Sequence, residues 1–86
     1  MTDNIVYYAL LRAGDTPTQP SGLARRTWTQ QGRLDETFRR DFTWKHDSAI
    51  YEWEHGEEMG ADLVEISEVE ARAVIERFRE KWGQEG

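Results

Sequence analysis

The run GLARRTWTQQGRLDETFRRDFTW, Gly22–Trp44, decides the fold. From Leu23 to Thr29 and from Thr37 to Trp44, apolar and polar residues alternate with period two, which predicts two strands. QQGR (30–33) lies between them, and Gly32 is free to take positive φ, so the pair reads as a hairpin with a somewhat loose tip. A second period competes over part of this run: Leu34, Phe38 and Phe42 recur every four residues, as a helix would have them.

The same run poses the functional question. It holds two arginine pairs, Arg25-Arg26 and Arg39-Arg40, set among Trp28, Phe38, Phe42 and Trp44. Successive side chains of a strand point to opposite faces, so each pair is split. Arg26 then joins Ala24 and Trp28, and Arg40 joins Phe38, Phe42 and Trp44. There the arginine stems can lie on rings, with cation–π contact worth ~0.5–2 kcal/mol. Arg25 and Arg39 fall among Thr27, Thr29, Thr37, Asp41 and Thr43, on a polar, water-facing side. Ordinary amphipathic strands account for this pattern. The alternative is a sheet face with aromatic platforms and guanidinium groups for single-stranded nucleic acid. It lacks the lysine-rich, glycine-aromatic signature of an RNA-recognition strand, and a pI of about 4.8 counts against it.

Upstream, IVYYALLR (Ile5–Arg12) is apolar at odd and even positions alike. As a strand it belongs in the middle of a sheet, covered on both faces by the chain itself or on one face by a partner. AGDTPTQPSG (Ala13–Gly22) holds both prolines and two glycines and reads as a surface loop. No Gly-Lys-Ser/Thr follows it, so it is not a P-loop.

Downstream, DSAIYEWEHG (Asp47–Gly56) reads as a short helix, with Asp47 or Ser48 as cap and Gly56 just past its end. Glu57–Asp62 is a charged turn and Leu63–Ile66 a short strand. Ser67 followed by Glu70 is a capping box. Ala71, Val74, Ile75, Phe78 and Trp82 then form one stripe of an amphipathic helix, a core stripe rather than a binding one. Glu68 and Glu70 suit the positive end of its dipole, Arg79 and Lys81 the negative end, and Gly83 terminates it. The expected fold is α+β: a small, mainly antiparallel sheet of about four strands packed on the C-terminal helix, plus the short helix.

Eighty-six residues make one domain, residues 1–86, with a modest core. No cysteine is present, which removes disulfides and thiolate chemistry and fits a reducing compartment. Four Trp, three Tyr and three Phe must therefore carry the burial, and homodimerisation is one way to add more. The apolar run Ile5–Leu11 is preceded by Asp3 rather than lysines, lacks a small-residue cleavage site and is far short of a membrane span, so the chain reads as cytoplasmic. Net charge is −6, unevenly spread. Through Lys45 there are seven Lys/Arg against five Asp/Glu; from His46 there are four against twelve. The acidic half disfavours nucleic acid and anionic membranes.

His46-Asp47 and Glu54-His55 place histidines beside carboxylates, the raw material of a small hydrolase or nuclease. An acidic chain does this by chance, and no nucleophile or spacing accompanies them. His46, His55 and Glu57 or Glu58 match no metal-ligand motif, and Asp62, Glu65, Glu68 and Glu70 lack a calcium loop's register. No catalytic, metal or cofactor site is therefore expected.

The order of YYALLRAG, GLARRTW, DSAIYEWE and LVEISEVEARAVIERF resembles short uncharacterised proteins of high-GC actinobacteria over nearly the whole chain. The resemblance implies no activity and no catalytic residue. The expected function is a non-catalytic protein-interaction or regulatory module, binding another protein or a second copy of itself. Its candidate partner surface is Tyr7, Tyr8, Arg25, Arg26, Trp28, Arg39, Arg40 and Trp44. The alternatives are nucleic-acid association through the arginine pairs and, third, hydrolysis.

Overall fold

Gly22–Thr29 (β2) and Gly32–Phe38 (β3) form the expected hairpin, in a computed structural model that describes residues 4–56 and 61–85. Its tip is tight rather than loose. Thr29 pairs with Gly32, leaving only Gln30 and Gln31 to turn, and Gly32 has φ +132°. Thr29 Oγ1 fastens the turn, donating to the Gly32 carbonyl at 2.9 Å and accepting from the Gln31 amide at 3.2 Å.

The second run is neither a continuous strand nor a helix. β3 stops at Phe38, residues 39–43 turn, and Trp44–His46 (β4) returns antiparallel with Phe38 opposite Trp44. The turn closes through Phe42 N to Arg39 O and Arg39 N to Thr43 O. Phe42 adopts φ +65°, a conformation an aromatic residue rarely takes. Alternation through Thr37–Trp44 suggested a strand because Phe38, Phe42 and Trp44 all reach one aromatic cluster. Phe42 and Trp44 reach it from a turn and from a different strand.

Asn4–Leu11 (β1) is interior, as its two-faced apolarity requires. It pairs antiparallel with β2 on one side and with Asp62–Ile66 (β5) on the other. The sheet thus has five strands, one more than expected, in the order β4-β3-β2-β1-β5. The charged turn expected over Glu57–Asp62 lies outside the described residues from 57 to 60.

Two helices divide the faces. Glu68–Glu85 (α2) crosses one face, and its stripe meets Ala9, Leu23, Phe38 and Ile66 in the main core. All five stripe residues contribute, and Gly83 lies inside the helix rather than at its end. Glycine ends a helix most readily from positive φ, and Gly83 does not take it. The capping box forms as read: Glu70 N donates to Ser67 Oγ at 3.1 Å and Ser67 N to Glu70 Oε1 at 3.0 Å. Ser67→Ala should therefore cost ~1 kcal/mol in a urea melt; no loss would mean water replaces the hydroxyl.

Ala49–Glu54 (α1) covers the opposite face, where Ile50 joins Ala24 and Leu63, flanked by Tyr8 and Leu10. It is shorter than the expected Asp47–His55. Asp47 Oδ1 accepts from Ala49 N at 2.8 Å, while Ser48 makes no side-chain cap. Gly56, at φ +74°, follows as expected. Among the described residues no helix is long and apolar enough to cross a membrane.

Candidate functional site

Paired residues in an antiparallel sheet share a face, so the register sorts the eight expected surface residues. Tyr7 is opposite Arg25, Arg25 opposite Glu36, and Glu36 opposite His46, one row across the α2 side. Arg25 Nε donates to Glu36 Oε1 at 2.8 Å, and its guanidinium lies 4.3 Å from the Trp44 ring centroid. Trp44 in turn leans on Tyr7, centroids 6.1 Å apart. Tyr7, Arg25 and Trp44 therefore form one cluster. The expected polar, water-facing position of Arg25 is corrected: it is half-buried on the helix-covered face. Thr37, expected beside it, points to the other side opposite Ala24. The two-residue tip sets this register, pairing odd positions of β2 with even positions of β3.

Tyr8, Arg26 and Trp28 lie on the α1 side. Arg26 is only 4 % exposed and is held by two carboxylates. Its Nε and Nη2 donate to Asp35 at 2.8 and 3.1 Å, and its Nη1 and Nη2 donate to Glu54 at 2.8 and 2.7 Å. Trp28 covers it at 5.7 Å, the contact expected from sequence. These bonds hold the Arg26 guanidinium well above its ordinary range, Asp35 contributing first, and hold the Glu54 carboxyl below its own. Burial, the largest influence on Tyr8, pushes its phenol up. A guanidinium clamped by two bidentate carboxylates has little capacity left for a ligand. It fastens α1 to the sheet, since Glu54 is the last residue of that helix.

Arg39 and Arg40 belong to neither face. They sit in the turn after β3, where Arg39 Nη2 meets Asp47 Oδ2 at 2.7 Å and Arg40 lies 5.6 Å from the Trp82 ring. Sequence placed Arg40 over Phe38, Phe42 and Trp44, but its ring contact is Trp82 of α2. The eight residues are thus spread over three places, and no single surface carries both arginine pairs.

The register also assembles a patch of which sequence showed only part. Ile5 faces Thr27 and Thr27 faces Leu34, a row next to Tyr7–Arg25–Glu36 on the α2 side. Ile5 and Leu34 are each 41 % exposed, because α2 packs over the rows beyond, around Ala9, Leu23 and Phe38. In sequence Leu34 stands out only through a helical period, and nothing local shows which rows a helix leaves open.

His46 lies opposite Glu36 at the sheet edge, and His55 packs its ring against Tyr51 at 4.1 Å beyond α1. Among the described residues, no three of His, Asp and Glu gather as a metal site, and Glu57 and Glu58 lie outside them. No protein-family model, curated protein or solved structure matches the chain.

Proposed function

We propose that this chain is a non-catalytic protein-interaction module whose partner docks on the open half of the α2-covered sheet face. The observation that carries the reading is the exposure of Ile5 and Leu34, which flank the buried Thr27 beside the Tyr7–Arg25–Trp44 cluster. Aromatic and arginine side chains held on a rigid sheet are the usual anchors of binding energy. A second copy of the chain suits the patch best. Arg25 and Glu36 give it both signs of charge, so a two-fold axis can bring each arginine to the other copy's carboxylate. The overall charge of −6 opposes such pairing only weakly at physiological salt, where screening acts within ~8 Å.

Sedimentation equilibrium tests this. The parent chain should dimerise reversibly and keep doing so in added salt, since apolar burial dominates. Ile5→Glu with Leu34→Glu should leave a monomer with an unchanged fold by circular dichroism. A parent that stays monomeric at every concentration would sink the self-association. Nucleic-acid association finds less support in the geometry: Arg25, Arg26 and Arg39 are each paired with a carboxylate, on three different surfaces.

A further inference from the structure

One end of the sheet gathers positive charge that the overall composition hides. Arg12 follows β1, Arg39 and Arg40 lie in the turn after β3, and Lys81 projects from the last part of α2. Together with Ser21, Phe38, Phe78 and Trp82 they line a cleft of about 460 Å³. Four cations line it, and among the described residues no carboxylate does. In a chain of net charge −6 such a gathering is against the average field, and the fold builds it from three separate segments.

Asp47 and Asp15, beside the cleft, are already engaged. Asp47 takes one edge of Arg39, whose fork has further N–H groups to offer. Asp15 borders the adjoining hollow, where it accepts from the Ser21 hydroxyl and, at 2.8 Å, from the Arg12 amide. Those bonds, the Ser21 hydroxyl first, lower its carboxyl below the ordinary range. The side chains of Arg12 and Lys81 have no ion-pair partner among the described residues. The carbonyl end of α2 adds only about half a negative charge nearby, against the full positive charges of Arg12 and Lys81 and the edge of Arg39 that Asp47 leaves uncovered.

The floor is apolar and flat. Phe78 and Trp82 stack at 4.3 Å with planes 13° apart, and Phe38 lies parallel at 6.1 Å from Trp82. An apolar floor lowers the local dielectric and strengthens every charge interaction above it. Guanidinium groups offer paired, planar donors that match phosphate oxygens.

From this we infer that the cleft is a binding site for a small phosphorylated molecule. Its phosphate is held by Arg12, Lys81 and the open edge of Arg39, and its organic part lies toward the Phe38–Phe78–Trp82 floor. The site is on the end of the sheet, distinct from the Ile5–Leu34 patch, and its occupancy does not depend on dimerisation.

Isothermal titration at physiological salt tests it with three probes: inorganic pyrophosphate, a nucleoside 5′-monophosphate and the same nucleoside without phosphate. The two phosphates should bind saturably at one site per chain and the nucleoside should not. Arg12→Gln and Lys81→Gln are exposed changes that leave the core intact. Each should weaken binding ~10-fold, the loss of one charge-assisted hydrogen bond. Arg72→Gln, on the far part of α2 and paired with Glu68, should change nothing. Indole resonances in a nitrogen–proton spectrum should shift for Trp82 with the phosphates in the parent and move less in the variants. No saturable binding at millimolar pyrophosphate, equal binding of the bare nucleoside, or equal weakening by Arg72→Gln would each overturn the assignment.

Discussion

Arg26→Met should destabilise the fold by about 3–5 kcal/mol, toward the lower figure. The loss does not measure the attraction between Arg26 and its partners. It measures the state of Asp35, 7 % exposed, once its counter-charge is gone. Arg33 Nε, 3.6 Å from Asp35, keeps part of the compensation. Arg26→Met combined with Asp35→Leu should recover most of the loss, because two apolar side chains of similar volume need no partner there. Glu54 adds an acid dependence. Arg26 holds its carboxyl below the ordinary range, so this contribution is fully present above about pH 4.3 and disappears as pH falls through the lowered folded value. Urea melts across that window should show an acid-labile component in the parent that Arg26→Met lacks. A single variant as stable as the parent would mean that the guanidinium is not buried against Asp35.

Phe78→Ala should cost a similar amount, ~3–5 kcal/mol, for a different reason. Phe78 is buried between α2 and the sheet, stacked on Trp82 and parallel to Phe38 at 6.3 Å. The deletion leaves a cavity that rigid rings on either side cannot close, and the near-ultraviolet dichroism of Trp82 should collapse with it. Val69→Ala, in the first turn of the same helix but 78 % exposed, should be close to neutral. Equal effects from the two would show that the buried stripe of α2 is misplaced.

The parts of the fold legible in sequence are those with a local cause. The capping box at Ser67 and Glu70, the α2 stripe, the interior position of β1 and the contact of Arg26 with Trp28 each follow from spacing within one element. What stayed hidden depends on how elements meet. The parity of the β2–β3 register rests on one residue more or less in the tip, and it moved Thr37 to the Arg26 side and Arg25 to the α2 side. Glu54 gives no sign in sequence of reaching Arg26, 28 residues away in the chain. The basic cleft is equally invisible: in sequence Arg12 is only the end of a strand and Lys81 only a complement to a helix dipole. Only the pairing of β1 and β3 with β2, and the packing of α2 on the sheet, bring them beside Arg39 and Arg40.

The strand order has a consequence for how the chain is made. β1 is synthesised first of the five strands, yet it lies in the interior between β2 and β5. One of its edges finds a partner within the next twenty or so residues, and β2, β3 and β4 can then add in succession as each emerges. The other edge waits for Asp62–Ile66, and the face of Tyr7, Ala9 and Leu11 waits for α2. Until then a growing chain carries an open strand edge beside an uncovered apolar face, the combination that invites pairing with other chains. Domains generally assemble as units during synthesis, but here the sheet cannot be closed by its first half. A ribosome-bound chain that ends before β5 should therefore be the form most dependent on a chaperone, and release of the last third should end that dependence.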